Sequence, residues 1–202
     1  MQKDLTQGSI TKTLLLFAMP MIAGDLLQQF YNIADTLIVG RFLGAEALAA
    51  VGSSYTLMTF LTSILLGLSM GSGAVFSIHY GEKNEEKLKE SMAAAFWLIF
   101  AVALALNIFV FLCIHPIMSF LQVPEEIYDM MQEYLWIVFW GIFASFLYNY
   151  FASLLRAVGN SVVPLVFLAI SAVLNIILDL WFVLGLKWGV AGAAVALSLI
   201  HI

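Results

Sequence analysis

Residues 24–40, GDLLQQFYNIADTLIVG, combine the apolarity of a membrane helix with a row of polar side chains. They lie inside a longer apolar run, and about 20 mostly apolar helical residues suffice to cross a bilayer core. A spacing of three, four and three residues places four polar side chains on one helix face, namely Asp25, Gln28, Asn32 and Asp35. The stretch therefore predicts a membrane helix with an apolar side and a side that meets water or polar partners.

The composition of the chain also indicates a membrane protein. Of the 202 residues, 63% are hydrophobic and 10% are charged, and the mean hydropathy is +1.01. Soluble domains average about 25% charged residues, so a water-soluble core of this length could not hide so much apolar surface. The net charge of −5 gives no indication of a nucleic-acid partner.

Six apolar segments separated by polar or turn-rich breaks predict an all-α membrane protein with six transmembrane helices. Residues 1–13 are predicted to be a cytoplasmic N-terminal segment, followed by one six-helix lobe over 14–202. The sixth segment is too short to span, so we expect the chain to be truncated and to stop being native near residue 196. The predicted spans cover about 14–39, 53–78, 92–113, 133–154, 162–184 and 189–202.

Lysine and arginine positions predict the orientation of these helices, because cytoplasmic loops carry an excess of positive charge. With the N-terminus in the cytoplasm, Arg41 and Lys187 face outward. The inward-facing basic residues are Lys3, Lys12, Lys83, Lys87, Lys89 and Arg156. The sequence therefore predicts a multi-pass protein of the cytoplasmic (inner) membrane with its N-terminus inside.

A second polar pair lies in the fifth segment, where Asn175 and Asp179 are four residues apart and share a helix face. In the predicted orientation, Asp35 and Asp179 lie at similar depths in the outer half of the membrane. Carboxylate and carboxamide oxygens suit protons or hard cations such as Na⁺, so Asp35, Asn175 and Asp179 predict a shared cation site. Two alternatives remain: the first-segment groups hydrogen-bond to neighbouring helices, or Asn175 and Asp179 cap local backbone.

Other polar residues of the apolar segments are candidates for a cavity or for structural roles. Intramembrane polar groups of this kind normally face a water-filled cavity or a partner. Pro20 removes a backbone hydrogen bond from the first helix and predicts a hinge. Asn107 is a lone mid-span amide, for which we predict a helix–helix hydrogen bond. The predicted cavity-lining residues are Asp25, Gln28, Tyr31, Asn32 and Asn149.

Motifs of enzymes and of cofactor binding are missing from the sequence. It contains no phosphate-binding loop, HExxH or GxSxG pattern. We therefore expect no catalytic residues, no cofactor, and no metal beyond a possible Na⁺ at the predicted cation site.

Four stretches, in order, resemble the multidrug and toxic compound extrusion (MATE) transporters. Residues 17–52, FAMPMIAGDLLQQFYNIADTLIVGRFLGAEALAAVG, resemble the first helix and following loop of that family. The other stretches are LLRAVGNSVVPLV at 154–166, VLNIILDLWFV at 173–183 and WGVAGAAVA at 188–196. The resemblance covers the chain from about residue 8 to residue 196.

The resemblance implies the N-terminal lobe of a twelve-helix antiporter that exports organic, often cationic, compounds in exchange for H⁺ or Na⁺. The missing C-terminal lobe would lie in the same native chain or come from a second copy. The implied cation ligands are Asp35, Asn175 and Asp179. Tyr31 matches the family's tyrosine one turn before the first aspartate, and Pro20 matches the bending proline of its first helix.

Two other functions remain as alternatives. A lipid-linked precursor flippase of the same superfamily would need a cationic cavity, whereas the membrane-embedded charges Asp25, Asp35 and Asp179 are acidic. A non-transporting scaffold or half-transporter subunit would need no aligned carboxylates. Leu197 departs from the family pattern, which often has a threonine there, and this departure fits a sequence that is no longer native at that point.

Overall fold

The structure, a computed structural model, describes residues 9–201 except for the side chains of residues 200 and 201. Within that range the chain forms seven α-helices and no strand, which confirms the predicted all-α class. The helices are α1 (Ile10–Phe42), α2 (Ala45–Gly81), α3 (Glu85–Phe120), α4 (Glu125–Trp140), α5 (Ile142–Ala157), α6 (Val162–Leu180) and α7 (Gly189–His201). The first eight residues of the predicted cytoplasmic segment 1–13, and residue 202, lie outside the described residues.

Four helical segments of the described chain are long and apolar enough to cross a membrane, namely α1, α2, α3 and Val162–Gly185. The predicted fourth span, 133–154, is not one straight helix, because α4 and α5 meet at Gly141 with a bend of 44°. If α4 and α5 are counted together as one bent span, the described chain has five spans. Helix α7 lies where the sixth span was predicted. Its 13 residues are fewer than the about 20 that a bilayer requires.

The helix termini follow ordinary capping chemistry. The Asn84 side chain accepts a hydrogen bond of 3.1 Å from the Lys87 backbone N–H and so caps the N-terminus of α3. Glu85 and Glu86 place negative charge in the first turn, where the helix dipole favours it. Gly44, between α1 and α2, has a φ of 94°, a value that glycine adopts without strain.

Two apolar clusters hold the helices together. The first cluster joins α2, α3, α4 and α5, and it is centred on Phe76, Ile99 and Phe146. The second cluster joins α1, α2, α4, α6 and α7, and it includes Tyr31 and Tyr134. Both α2 and α4 contribute to the two clusters, so these two helices connect the α5 side of the lobe with the α1–α6 side.

The apolar side predicted for the first helix is exposed on α1 in the structure. Leu26, Phe30, Ile33 and Leu37 are all more than half exposed on this helix. Exposed large apolar side chains on one side of a spanning helix are expected where that side meets lipid.

A π-helical turn, Trp181–Gly185, follows α6 and redirects the chain into α7. The Leu186 N–H donates to the Trp181 carbonyl at 2.9 Å, and the Phe182 ring stacks on Trp188 at 5.1 Å between centroids. Gly192 of α7 packs directly on this turn, because a Cβ there would lie 3.1 Å from the Phe182 Cβ. The turn thus sets α7 against α4 and α6.

We expect Gly192→Ala to lower the free energy of unfolding by about 1–3 kcal/mol, because the added methyl group overpacks the contact with Phe182. Denaturation of the purified chain in detergent measures this change. Gly52→Ala is the matched control, since a Cβ at Gly52 meets nothing within 4 Å. Equal stability of the two variants would contradict the packing described for α7.

Candidate cation site

The polar residues of α1 and α6 lie at the interface where these two helices pack together. Asp35 is 8% exposed and lies on the buried face of α1, together with Tyr31. Asn175 and Asp179 are both fully buried in α6, one helical turn apart. The α1–α6 interface therefore encloses two carboxyl groups and one carboxamide.

The two carboxyl groups lie close enough to act on each other electrostatically. The carboxyl groups of Asp35 and Asp179 interact electrostatically with each other. Both also interact electrostatically with the hydroxyl group of Tyr134. Tyr134 belongs to α4 and is only 2% exposed. The structure thus brings the predicted pair Asp35 and Asp179 together and adds a hydroxyl group from a third helix.

Most polar atoms of this site have no protein partner. Within the described residues, Asp35 Oδ1 and both side-chain oxygens of Asp179 lack a hydrogen bond, as do both polar side-chain atoms of Asn175. The ion pairs of the described chain, such as Lys89 with Glu85, lie elsewhere. A buried ionised carboxylate without a partner is very costly, so this arrangement requires a proton or a bound cation.

The donor set fits a small hard cation or a proton. Carboxylate, carboxamide and hydroxyl oxygens are the ligands that such ions prefer. Across residues 9–201 no group of three or more His, Cys, Asp and Glu side chains converges on a metal site. A Na⁺ ion here would therefore rely on Asn175 and Tyr134 as well as on the two carboxyl groups.

The polar stripe predicted on α1 divides into two parts. Asp25 and Gln28 are exposed and Asn32 is half-buried, whereas Asp35 is buried. Ten residues at 100° each place Asp25 about 80° round the helix from Asp35, whereas Gln28 is exposed although it lies only about 20° from Asp35. Asp25 lies outside the cation site and interacts electrostatically with Tyr148 of α5.

The remaining predicted residues lie outside the cation site or beside it. The Tyr31 hydroxyl lies within electrostatic range of Asp35 and next to the Gln28 side chain. Asn149 is half-buried and donates to the Ser145 carbonyl of its own helix at 2.8 Å. Pro20 lies within α1, which continues through it as a helix.

A groove in the structure lies away from the cation site. Its volume is about 710 Å³, and it runs between α2 and α3 along Phe60, Phe109 and Pro116. None of the predicted site residues lines it. Asp35 and Asp179 are buried within the lobe, away from this groove.

Sequence reasoning missed Tyr134 as part of this site. The predicted depth of Tyr134 could have indicated its role, because the fourth span runs inward in the predicted orientation and Tyr134 lies near its start. That position is in the outer half of the membrane, at the depth predicted for Asp35 and Asp179.

Comparison with known proteins places this chain in a family. The MatE family model matches residues 20–181. The chain belongs to the MatE family. The resemblance predicted from the sequence is therefore confirmed.

Relatives and solved structures match nearly the whole chain. The chain is 34% identical over 191 residues to the probable multidrug resistance protein YpnP of Bacillus subtilis, covering 95% of this chain and 43% of YpnP. It is 31% identical over 195 residues to the probable multidrug resistance protein YoeA of the same organism, covering 95% of this chain and 42% of YoeA. The crystal structure of MATE in complex with MaD5 matches with a TM-score of 0.91 at 26% identity, over 99% of this chain and 45% of that chain.

The chain thus spans less than half the length of the curated relatives it matches. The described helices correspond to one lobe of the MatE transporter fold, the N-terminal lobe, as the sequence predicted.

We expect Tyr134→Phe to weaken cation binding about tenfold, because it removes a hydroxyl group beside two carboxyl groups in a site that offers few donors. Calorimetric titration of the purified chain with Na⁺, and proton uptake in its absence, measure the effect. Tyr150→Phe is the matched control, since its hydroxyl donates to the Met92 carbonyl at 2.9 Å in the first cluster. A loss of affinity in both variants, or in neither, would show that the Tyr134 hydroxyl does not serve the site.

Proposed function

We propose that this chain is the N-terminal lobe of a cation-coupled antiporter that exports organic, mainly cationic, compounds across the cytoplasmic membrane by alternating access. The supporting observation is the enclosed pair Asp35 and Asp179, whose oxygens lack protein partners within residues 9–201. Relatives named as multidrug resistance proteins support the export of small molecules. In this proposal the N-terminus lies in the cytoplasm, and a second lobe lies in the same native chain or comes from a second copy.

The position of the two carboxyl groups explains how a cation could drive a conformational change. Asp35 and Asp179 are like charges on two packed helices, so ionising both pushes α1 and α6 apart. An H⁺ or Na⁺ that binds between them removes this repulsion and favours close packing. A ligand shifts a conformational equilibrium only through such a difference in affinity between two states.

The exposed polar side of α1 links the cation to the cargo. Asp25 and Gln28 are exposed on the same helix as Asp35. Movement of α1 at the cation site, with Pro20 as the hinge, therefore displaces the side chains proposed to bind cargo. The negative charge of Asp25 favours a positively charged compound.

We expect Asp35→Asn to abolish export of an organic cation from cells, because the neutral amide removes the exchangeable charge from the α1–α6 interface. The measurement is ethidium efflux in cells that express the gene encoding this chain, with membrane insertion checked by immunoblot. Glu46→Gln, which neutralises an exposed acid in the first turn of α2, is the control and should export normally. Undiminished efflux by the Asp35 variant would refute the proposed coupling.

We further expect an inward gradient of either H⁺ or Na⁺, tested separately in vesicles, to drive export, and Asp179→Asn to remove the response to the effective ion. The reason is that both carboxyl groups contribute to one site, so neutralising either changes its charge by a full unit. Transport that ignores both gradients would contradict a cation-coupled cycle.

A further inference from the structure

We propose that a groove between α2 and α3 binds one phospholipid with an ethanolamine headgroup, whose tail lies between the two helices and whose ammonium group lies between Glu46 and Glu126. This inference goes beyond the proposed function and does not depend on it, because neither Asp35 nor Asp179 lines the groove. The occupant is identified by the apolar part of the groove, by the charge at one end and by the length.

The apolar part of the groove is the volume of about 710 Å³ described above. Leu57 and Phe60 line it on α2, and Phe109 and Pro116 line it on α3. Residues 121–124, between α3 and α4, also line it. Both α2 and α3 are long and apolar enough to cross a membrane, so this volume suits a hydrocarbon chain.

A smaller hollow of about 400 Å³ adjoins the apolar part, and Pro124 lines both. Ala45 and Ala49 of α2 line the hollow, and Ser53, four residues further on, lines the apolar part. Residues four apart share a helix face, so the lining runs along one side of α2. The two volumes therefore form one continuous groove, in which the small side chains of α2 leave the room.

Two carboxyl groups from different helices border the smaller hollow. Glu46 of α2 and Glu126 of α4 both line it, and both residues are exposed. Neither takes part in the ion pairs found within residues 9–201. The groove thus carries unpaired negative charge at one end, and this charge attracts a positively charged group.

The length of the groove matches one leaflet of a bilayer. Glu46 and Phe60 are 14 positions apart in α2, which corresponds to about 21 Å along the helix axis. Half of a bilayer, from the headgroups to the midplane, measures about 20–22 Å. A phospholipid therefore fits with its headgroup beside Glu46 and the end of its tail beside Phe60.

The headgroup decides which lipid the groove selects, because hydrocarbon tails are alike in their apolar character. The ammonium group of ethanolamine donates charge-assisted hydrogen bonds to carboxylate oxygens. A choline headgroup has the same charge but no N–H donor. A glycerol headgroup leaves the lipid with a net negative charge, which the two carboxylates repel. The groove therefore favours phosphatidylethanolamine over phosphatidylcholine and over phosphatidylglycerol.

Cys113 provides the readout, because it is the only cysteine of the chain and lines the apolar part of the groove. The whole chain is placed in nanodiscs of phosphatidylcholine, alone or mixed with equal parts of phosphatidylethanolamine or phosphatidylglycerol. The rate at which N-ethylmaleimide alkylates Cys113 is followed by mass spectrometry. A lipid seated in the groove covers the Cys113 thiol and slows this reaction.

We expect phosphatidylethanolamine to slow the alkylation about threefold relative to either other lipid, within the range of a surface ion pair. Glu46→Gln combined with Glu126→Gln should abolish this difference, since neutral amides no longer attract the ammonium group. Glu86→Gln combined with Glu90→Gln is the matched control and should keep it, because both residues are exposed on α3 and neither lines the groove. Equal rates in all three lipids would overturn the inference, as would a difference that survives in the Glu46 and Glu126 double variant.

A second measurement separates a bound phospholipid from other occupants. Ala49→Phe fills the smaller hollow without changing its charge, so native mass spectrometry should show phosphatidylethanolamine retained by the wild-type chain and lost from this variant. Retention by both chains, or by neither, would contradict the inference. Slower alkylation of Cys113 with two copies in each nanodisc, whatever the lipid, would show that a second copy covers the groove. Protection by hexadecyltrimethylammonium but not by phosphatidylethanolamine would assign the groove to a cationic amphiphile, and either result would overturn the inference.

Discussion

The constraint that governs this lobe is the burial of two carboxyl groups with no basic partner within the described chain. Asp35 and Asp179 lie with Asn175 in the interface between α1 and α6, and most of the carboxyl oxygens lack a hydrogen bond. Such groups persist in a membrane protein only where an ion or a proton neutralises them. In the proposed function, cation occupancy controls the packing of α1 on α6, and such a link is what a coupled transporter requires.

The remaining helices hold this interface in place. The π-helical turn Trp181–Gly185 follows Asp179 directly and sends α7 back against α4, and π turns of this kind are frequent at functional sites. Helix α4 packs in both apolar clusters and carries Tyr134. The bend at Gly141 separates α4, which contributes to both apolar clusters, from α5, which contributes to the first cluster.

Much of this arrangement could be predicted from the residues, since spacing, depth and orientation are regular properties of membrane helices. Asn175 and Asp179 share a face because they are four residues apart, and the depth argument paired Asp179 with Asp35. The same stripe places Asp25 among the predicted cavity-lining residues, and in the structure it is exposed, about 80° round α1 from Asp35. The bend could not be predicted in the same way, because one glycine in an apolar run has no distinctive pattern. The depth of Tyr134 could be predicted, but its position relative to Asp35 and Asp179 depends on tertiary packing.

The most direct test of the account is infrared difference spectroscopy of the purified chain in lipid, recorded as Na⁺ is added or as pH is raised. The account predicts that the band of a protonated carboxyl group disappears in the wild-type chain, and that this signal is absent when both Asp35 and Asp179 are replaced by asparagine. A signal that survives in the double variant, or a wild-type chain with no response to either ion, would show that these two residues do not form an exchangeable cation site.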